Sequence, residues 1–506
     1  MMLFMKNEKV KLILIWLVGA GLSLFSNGAN SIPIAAWLAP VFLLRFTRKQ
    51  KSRTALFVVY LTIMATFAFQ FRGMVPLPPV FYLLFLLGFC FVLTLPYIID
   101  RLLINKLHRL LGTLIFPVTY VAIEYLISFG PYGTWGAIAY SQYGNLQLLQ
   151  LLSVTGMWGI TFLIGWFAST CNLVWDKGFT IPEVKKLSAI YAVILIGVLM
   201  LGGVRVAVFP PASQTVRVAG IVSEHTEAQN QVLDGIFASI FTDTVTDEQI
   251  AQLRDLMQEE NEAMFIKTMR EAEAGARIVS WAEINAAVLK EDEAALIDRG
   301  REVALEHGIY LALPVFSWIF DADNNSLAAE NKIVMITPEG QVEWEYHKAI
   351  PVPGWDAAIQ VPSEDGQLKS IDTPYGRIVG VLCFDANFPR LLAQAGRLNA
   401  DIVINPSNDW LAINPWHTRM ASFRGIEQGF NQVRVASNGT SAVYDYHGNR
   451  LSLMNYAQTE DGSMVAYVPV NGVRTVYAML GDWFAWICLA GLLALIVCGV
   501  IKKKSR

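Results

Sequence analysis

The chain has 506 residues, of which 54% are hydrophobic and only 16% charged, and its formal net charge is −3. With a mean hydropathy of +0.42, it is too apolar and too poor in charge for an ordinary soluble protein of this length. The nearly balanced charge, without a basic patch interleaved with aromatic residues, gives no indication of nucleic-acid binding. The composition therefore predicts a membrane protein.

Apolar runs near both ends of the chain predict eight membrane helices. They cover residues 10–26, 31–46, 54–71, 79–98, 110–129, 150–175, 187–204 and 482–501. The second is shorter than the roughly 20 residues that span a bilayer, so it is tilted, re-entrant or paired with the first. The first lacks a small-residue cleavage site followed by a soluble region, so we do not expect it to be a cleavable signal peptide. The predicted domains are seven helices within 1–205, a globular domain over 215–475, an eighth helix at 482–501 and a basic tail at 502–506.

Basic residues occupy alternate loops of this predicted bundle. They precede the first helix and follow the second, fourth, sixth and eighth, whereas the other loops carry almost none apart from Arg72. Because Lys and Arg collect on the cytoplasmic side, we expect both termini in the cytoplasm and residues 215–475 outside it. Of the five cysteines, only Cys383 lies in this exported domain. An unpaired cysteine in an oxidising compartment suggests a reactive thiol.

One carboxylate, Glu124, lies inside the fifth predicted helix. An ionisable side chain within a membrane is costly and is a candidate for function by default. The alternative is a residue that faces the bundle and is hydrogen-bonded to a neighbouring helix.

Residues 215–475 alternate between strand-like and helix-like segments. Their composition predicts strands at 216–223, 276–283, 308–316, 401–409 and 433–438, two further strands that close the domain, and hairpins that turn at 338–340 and 373–376. Helical periodicity and end signals predict helices at 246–275, 292–308, 389–399 and 416–430. This alternation predicts a layered α/β domain, and about 260 residues can bury a full core.

Three polar side chains follow predicted strands of this domain: Glu283, Lys348 and Cys383. Open α/β sheets place reactive groups at the carboxyl ends of their strands. Cys383 ends the apolar run 377–382 and Pro389 opens a helix soon after it, a strand-to-helix turn of the kind that presents a nucleophile at a sheet edge. Taken singly, each residue has a structural alternative: a solvated carboxylate, a hairpin lysine and a buried cysteine.

The motifs around these residues resemble those of the nitrilase, or carbon–nitrogen hydrolase, superfamily. They read SWAE, YHK followed by VPGWD, CFDANFP, NPSNDW and WHTRMASFRGIEQG. With seven predicted membrane helices before the domain and one after it, the chain resembles the membrane-embedded branch of that superfamily, the apolipoprotein N-acyltransferases. The resemblance implies an α-helical multi-pass membrane bundle plus an exported nitrilase-like domain, an α-β-β-α sandwich, in the bacterial cytoplasmic (inner) membrane.

The resemblance also implies a Glu–Lys–Cys triad. Glu283 would be the general base, Lys348 would stabilise the thiolate and the oxyanion, and Cys383 would be the nucleophile. Asp356 or Asp385 would hold Lys348 charged, and Asp356 is favoured because it matches the family's acid by position.

Two further groups of residues are candidates for supporting the site. Arg424 and Glu427 lie at i and i+3 on a predicted helix, as a pair that supports the site or as a purely structural ion pair. Segments 315–320 and 410–416 are predicted to be exposed loops too apolar for a solvated surface. Aromatic candidates for acyl-chain or lid contact, with core packing as the alternative for each, are Trp318, Phe320, Trp355, Trp410 and Trp416. The six histidines do not fall in metal-ligand spacings, so no metal or other cofactor is expected.

The acyltransferase resemblance implies that Cys383 takes an acyl chain from a membrane phospholipid as a thioester. The N-terminal amine of the diacylglyceryl-cysteine on an apolipoprotein would then accept that chain. Ala282 and Asp385 stand where the family usually has Pro and Glu, which favours the alternative of a membrane-tethered nitrilase-type amidase acting on a small or lipid amide. A catalytically idle lipid-binding or assembly protein is the other alternative, against which the intact Glu–Lys–Cys order argues.

Overall fold

The computed structural model describes residues 8–50, 53–223, 246–321, 326–361, 363, 365–459 and 461–504. The chain divides into two compact units, one formed by Met1–Pro210 with Thr475–Arg506 and the other by Pro211–Arg474. Within the described residues, the first unit is helical and the second contains the strands.

The first unit is a bundle of helices of unequal length. They are α1 (Glu8–Ser23), α2 (Pro33–Lys49), α3 (Thr54–Gln70), α4 (Pro79–Leu103), α5 (Arg109–Ile127), α6 (Leu146–Leu149), α7 (Leu152–Thr155), α8 (Trp158–Lys177), α9 (Pro182–Val208), α15 (Val476–Leu480) and α16 (Trp483–Lys504). Helices α2, α4 and α9 begin at a proline, whose fixed φ suits the first helical position and whose missing N–H costs nothing there.

In the described part of the chain, four helices are long and apolar enough to cross a membrane: α4, α9, Leu110–Ile127 of α5 and Trp483–Ile501 of α16. A fifth is added if Leu146–Thr155 and Trp158–Lys177, bent by 115°, form one span. Helices α1, α2 and α3 have 16 or 17 residues, short of the roughly 20 that cross a bilayer. Helices form in all eight predicted segments, and the number of spans stays a prediction.

Small residues allow the closest contacts between helices of this unit. A Cβ at Gly165 of α8 would lie 2.9 Å from the Cα of Pro117 in α5, and one at Gly202 of α9 only 1.9 Å from the carbonyl oxygen of Gln147 in α6. Helices in lipid associate through such close approach, because burying apolar side chains gains little there. Helices α9 and α16 instead expose apolar side chains along most of their length, as a lipid-facing surface does.

Glu124 of α5 is buried and hydrogen-bonded inside the bundle. Its Oε1 accepts from the backbone N–H of Ile138 at 2.8 Å, and its Oε2 accepts from the hydroxyl of Thr161 in α8 at 2.7 Å. These contacts favour the structural alternative, in which the carboxylate joins neighbouring elements of the bundle. A functional role for Glu124 stays a prediction.

The second unit is built on two mixed β-sheets. The strands are β1 (Thr215–Ile221), β2 (Ile278–Trp281), β3 (Ala286–Leu289), β4 (Tyr310–Asp321), β5 (Ser326–Ile336), β6 (Val342–His347), β7 (Ser370–Thr373), β8 (Gly376–Gly380), β9 (Ile402–Asn408), β10 (Asn431–Ser437), β11 (Thr440–Tyr444), β12 (Arg450–Asn455) and β13 (Ser463–Pro469). One sheet has the order β13-β1-β2-β4-β5-β6, with β3 paired to β4, and the other has the order β12-β11-β10-β9-β8-β7. The central pairs of each sheet, β1/β2 and β2/β4 or β8/β9 and β9/β10, are parallel.

Helices cover the outer faces of these sheets. They are α10 (Asp247–Glu273), α11 (Glu293–His307), α12 (Trp355–Ile359), α13 (Pro389–Arg397) and α14 (Trp416–Gln428). Helices α10 and α11 pack on the first sheet, and α14 packs on β10 and β11 of the second. Between the sheets, Val218 and Ile333 of the first share one apolar cluster with Ile404 and Val435 of the second. The layers are α-β-β-α, and the predicted fold class is confirmed.

Glycine sets the separation of the two sheets where β8 meets β6. A Cβ at Gly380 would lie 2.8 Å from the indole of Trp344 and 3.0 Å from the side chain of Ile333. Residue 380 immediately precedes the segment that leads to Cys383, so this close packing fixes the strand that delivers the cysteine.

Strand β4 differs from its prediction because it continues to Asp321. Residues 315–320 are therefore not an exposed loop, and that prediction is wrong. The extension pairs with β5 along its length and buries Phe316 and Trp318 against Leu253 and Met257 of α10. Strand β2 is shorter than predicted, since the chain turns after it at Ile284, whose φ is 69°. Strand β3 and helix α12 have no counterpart in the prediction, and three closing strands (β11, β12 and β13) stand where two were predicted.

Candidate active site

The three predicted triad residues lie at the ends of strands from both sheets and are brought together. Glu283 follows β2, Lys348 follows β6, and Cys383 follows β8, with 2–3% of each residue exposed. The Nζ of Lys348 donates to Oε1 of Glu283 at 3.0 Å. The charges of both residues act on the Cys383 thiol. Residues distant in sequence thus share one buried site.

Cys383 sits on a sharp turn. Its φ of 41° lies in the left-handed region, which is uncommon for a residue with a side chain. A 3₁₀ turn over Cys383–Asn387 follows directly, and Pro389 then opens α13. The Sγ atom points to the backbone carbonyl of Asn408 at 3.9 Å. The strand-to-helix turn predicted from the sequence is present, with the backbone strain that such turns store at functional sites.

Glu283 is oriented by three donors. Its Oε1 accepts from Lys348 and from the side-chain amide of Asn331 at 2.8 Å, and its Oε2 accepts from the backbone N–H of Asn408 at 2.8 Å. A carboxylate held on both oxygens cannot rotate away from the thiol. Asn331 and Asn408 were not among the predicted site residues.

Lys348 is held between two carboxylates. Besides Glu283, it donates to Oδ2 of Asp356 at 2.7 Å, and the same oxygen accepts from the backbone N–H of Val352 at 2.8 Å. Burial acts to lower the pKa of Lys348, but Glu283 and Asp356 outweigh it and raise that pKa well above its usual value. The ammonium group therefore stays charged. The side chain of Trp355, which precedes Asp356, lies outside the described residues.

Asp385 has a different position from Asp356. Its Oδ2 accepts from the hydroxyl of Tyr346 at 2.7 Å and from the N–H of Leu382 at 3.3 Å, and its Oδ1 accepts from the N–H of Ile350 at 2.9 Å. Burial raises the pKa of Asp385 to about 7, although the hydrogen bond from Tyr346 acts to lower it. Asp385 thus ties the Cys383 turn to the segment around Lys348. Asp356 is the carboxylate that contacts the lysine directly.

The thiol of Cys383 is protonated at rest. Burial and the Glu283 carboxylate raise its pKa well above the usual value, and the opposing charge of Lys348 does not compensate. Since the thiolate is the nucleophilic form, attack requires proton removal at the moment of reaction. Glu283 is a carboxylate whose charge acts on this thiol.

A second polar cluster lies on another side of Cys383 and was missed from the sequence. The carboxylate of Asp409 lies 2.8 Å from both Nδ1 of His417 and Nη2 of Arg434. Ligating atoms of Cys383, Asp409 and His417 fall within 4.8 Å of one another, a set that could hold a metal ion. The guanidinium of Arg434, however, already brings a positive charge within 2.8 Å of Oδ1 of Asp409 and 2.9 Å of Nδ1 of His417. The NPSNDW and WHTRMASFRGIEQG motifs contain Asp409 and His417, but their spacing does not show that they meet.

Arg424 and Glu427 form an ion pair within α14. The Nη1 of Arg424 lies 2.8 Å from Oε2 of Glu427, and both side chains are fully buried. A pair confined to one turn of a buried helix matches the structural alternative. A contribution to the site stays a prediction.

The aromatic candidates divide by burial. Trp318 and Trp416 are 3% and 0% exposed, and Phe320 is partly buried in the same cluster as Trp318, which favours core packing for these three. Trp410 is half-buried next to Leu411, which is 80% exposed. Among the candidates whose side chains the structure describes, Trp410 therefore stays a prediction for ligand contact.

Residues 171–477 match the carbon–nitrogen hydrolase family. The chain belongs to that family, as its Glu–Lys–Cys site and α-β-β-α sandwich indicate. Residues 19–170 match the N-terminal domain of apolipoprotein N-acyltransferase, so the chain carries both regions that characterise this branch, and the predicted family membership is confirmed.

Curated relatives agree with both matches. The apolipoprotein N-acyltransferase of Geobacter metallireducens is 26% identical over 77% of this chain and 74% of its own length. That of Rickettsia prowazekii is 24% identical over 69% of this chain and 68% of its own. Among solved structures, an amidase from Nesterenkonia sp. is similar with a TM-score of 0.37 and 18% identity, over 51% of this chain and 92% of the amidase.

Proposed function

We propose that this chain is an acyltransferase that moves an acyl chain from a membrane phospholipid to the N-terminal amine of a diacylglyceryl-modified apolipoprotein. The observation that carries the proposal is the buried array in which Lys348 bridges Glu283 and Asp356 beside the Cys383 turn. It stands in a chain whose two matched regions both occur in apolipoprotein N-acyltransferases. The catalytic roles of Glu283, Lys348 and Cys383 are part of the proposal.

In the first half-reaction, Glu283 takes the thiol proton as the Cys383 sulfur attacks the ester carbonyl of the phospholipid. Lys348 stabilises the negative oxygen of the tetrahedral intermediate, as a donor fixed before the reaction begins. The bond between the carbonyl carbon and the glycerol oxygen then breaks, and Glu283 returns its proton to that oxygen. The products are a lysophospholipid and an acyl thioester on Cys383.

In the second half-reaction, the neutral N-terminal amine of the apolipoprotein attacks the thioester carbonyl. Glu283 takes a proton from the attacking nitrogen, and Lys348 again stabilises the oxyanion. The carbon–sulfur bond breaks, and the proton held by Glu283 passes to the departing sulfur. This step forms the amide and restores the thiol.

Both proposed substrates are held in a bilayer, and apolar helices would keep the enzyme in the same membrane as its substrates. We place the chain in the bacterial inner membrane, with its termini in the cytoplasm and residues 215–475 outside it, because Lys and Arg occupy alternate loops. The half-buried Trp410 and the exposed Leu411 follow closely after Asn408 in the chain. The backbone N–H of Asn408 contacts Glu283, and its carbonyl contacts Cys383. Trp410 and Leu411 are the apolar residues best placed to meet an acyl chain near the site.

Intact-protein mass spectrometry of the detergent-purified chain tests this proposal. After incubation with phosphatidylethanolamine, the wild type should gain one long-chain acyl group and lose it on adding a diacylglyceryl-cysteine peptide. Cys383→Ala should gain none. Turnover of a small amide without any adduct from phospholipid would replace the proposal with the tethered amidase. If the chain reacts with neither substrate, the result would favour the alternative of a catalytically idle lipid-binding or assembly protein.

A further inference from the structure

Asp409, His417 and Arg434 form what is called here the Asp409 cluster. These residues have no part in the two half-reactions, yet their side chains are buried and joined by hydrogen bonds. Asp409 follows β9, His417 lies in the first turn of α14, and Arg434 lies in β10, with 0–4% of each residue exposed. Arg434 also donates to Oδ1 of Asn405 at 2.7 Å and to the hydroxyl of Thr418 at 3.1 Å. A buried ionic cluster is costly compared with apolar packing and is weak evidence for a purely stabilising role.

The cluster is joined to the reacting groups through the backbone of one residue, Asn408. Asp409 is bonded to Asn408, whose N–H donates to Glu283 at 2.8 Å and whose carbonyl faces the Cys383 sulfur at 3.9 Å. The N–H of Asp409 itself donates to the carbonyl of Ser437 at 3.0 Å. A displacement of Asp409 would therefore move the groups that orient both the base and the nucleophile.

The same cluster also acts on Cys383 through its charge. The charged groups that face the thiol are Glu283 after β2, Lys348 after β6, Asp409 after β9 and Arg434 in β10, with His417 of α14 beside them. Burial and the positive charge of Arg434 lower the pKa of His417, so the imidazole is neutral at pH 7. The charges of Asp409 and Arg434 then have opposite effects on the pKa of the Cys383 thiol.

We propose that Asp409, His417 and Arg434 are positioning residues of this site, which hold the backbone N–H and carbonyl of Asn408 against Glu283 and Cys383 and balance the charge that acts on the thiolate. The proposal rests on the proposed function in taking Cys383 as the nucleophile. It differs from a structural role because it requires two neighbouring substitutions to change thiol reactivity in opposite directions. Loss of the Asp409 charge should lower the pKa of the Cys383 thiol, and loss of the Arg434 charge should raise it.

Alkylation of Cys383 by iodoacetamide, followed by peptide mass spectrometry across pH 6–10, measures this directly on the detergent-solubilised full chain. At a fixed pH below the thiol pKa, Asp409→Asn should react about tenfold faster than wild type and Arg434→Gln about tenfold slower, because the thiolate fraction follows the thiol pKa. Arg434→Lys keeps the charge and should restore most of the wild-type rate. The matched control is Arg217→Gln, which breaks a partly buried pair with Glu271 on β1 and α10 and should leave the alkylation profile unchanged.

A wild-type pH profile in both Asp409→Asn and Arg434→Gln, with only a lower melting temperature as in the control, would overturn the proposal. If either variant fails to fold, His417→Ala and His417→Asn provide the second test. Asparagine keeps a donor near the position of Nδ1, so only the alanine variant should lose reactivity, and equal loss in both would count against positioning. Alkylation needs no lipid. Shifted profiles in a chain that forms no phospholipid thioester would therefore refute the proposed function and leave the positioning role intact.

Discussion

Replacing Lys348 with methionine tests the proposed site most directly, because it keeps the volume and removes the charge. Two charged hydrogen bonds are lost, at 3.0 Å to Glu283 and 2.7 Å to Asp356, and two largely buried carboxylates are left without their cation. Breaking a buried pair by removing one partner costs about 3–5 kcal/mol of unfolding free energy. For a unit of this size, that lowers the melting temperature by roughly 10 °C. Loss of an oxyanion donor should also slow thioester formation about 10²–10³-fold.

A double variant separates these two effects. Lys348→Met with Asp356→Asn removes one of the stranded carboxylates, so it should recover part of the stability but none of the rate. Thermal unfolding in detergent gives the first quantity, and single-turnover formation of the acyl adduct from phosphatidylethanolamine gives the second. Lys348→Arg, which keeps a charge, is the matched control. Thioester formation by Lys348→Met within tenfold of the wild-type rate would refute the assignment of Lys348 to the oxyanion.

Three further predictions concern pH, packing and the apolar segment near the site. The pKa of Asp385 is about 7 in the folded chain against about 3.9 in an unfolded one, so its stabilising contribution is complete below about pH 4 and is lost as the pH rises through 7. Asp385→Asn should therefore show a flatter dependence of melting temperature on pH between 5 and 8 than wild type, and an equally steep one would contradict the assigned burial effect. Gly380→Ala should cost about 1–3 kcal/mol in thermal unfolding, because its methyl group meets Trp344 at 2.8 Å, and unchanged stability would show that the sheets can separate. Leu411→Ser should change stability by no more than about 0.5 kcal/mol, since the residue is 80% exposed, but should raise the KM for phospholipid; an unchanged KM would exclude it from the acyl-chain path.

Local signals explain why so much of the turn at Cys383 could be predicted. The apolar run before Cys383 and the proline at 389 are both adjacent to the turn, so strand, cysteine and helix follow from one short stretch of sequence. The choice between Asp356 and Asp385 needed the structure. Both acids lie near Lys348 in the fold, and only the distances show that Asp356 contacts it while Asp385 binds backbone groups.

The Asp409 cluster could not be predicted because its members meet only through sheet pairing. Strand β10 lies parallel to β9 with Arg434 opposite Asn405, and this register brings the arginine to the carboxylate that follows β9. No fixed spacing in the sequence marks that meeting. Similarly, residues 315–320 looked like an exposed apolar loop because the helix that covers them, α10, is distant in sequence from β4.

The pairing of β1 with β13 has a consequence for how the α/β unit is attached. Thr215 and Pro469 are register partners, so the chain arrives at this unit and departs from it on neighbouring strands, about 5 Å apart. The unit is thus connected to helices at both of its ends: α9 precedes it in the chain, and α15 and α16 follow it. A protease that cuts a single connection would not release it.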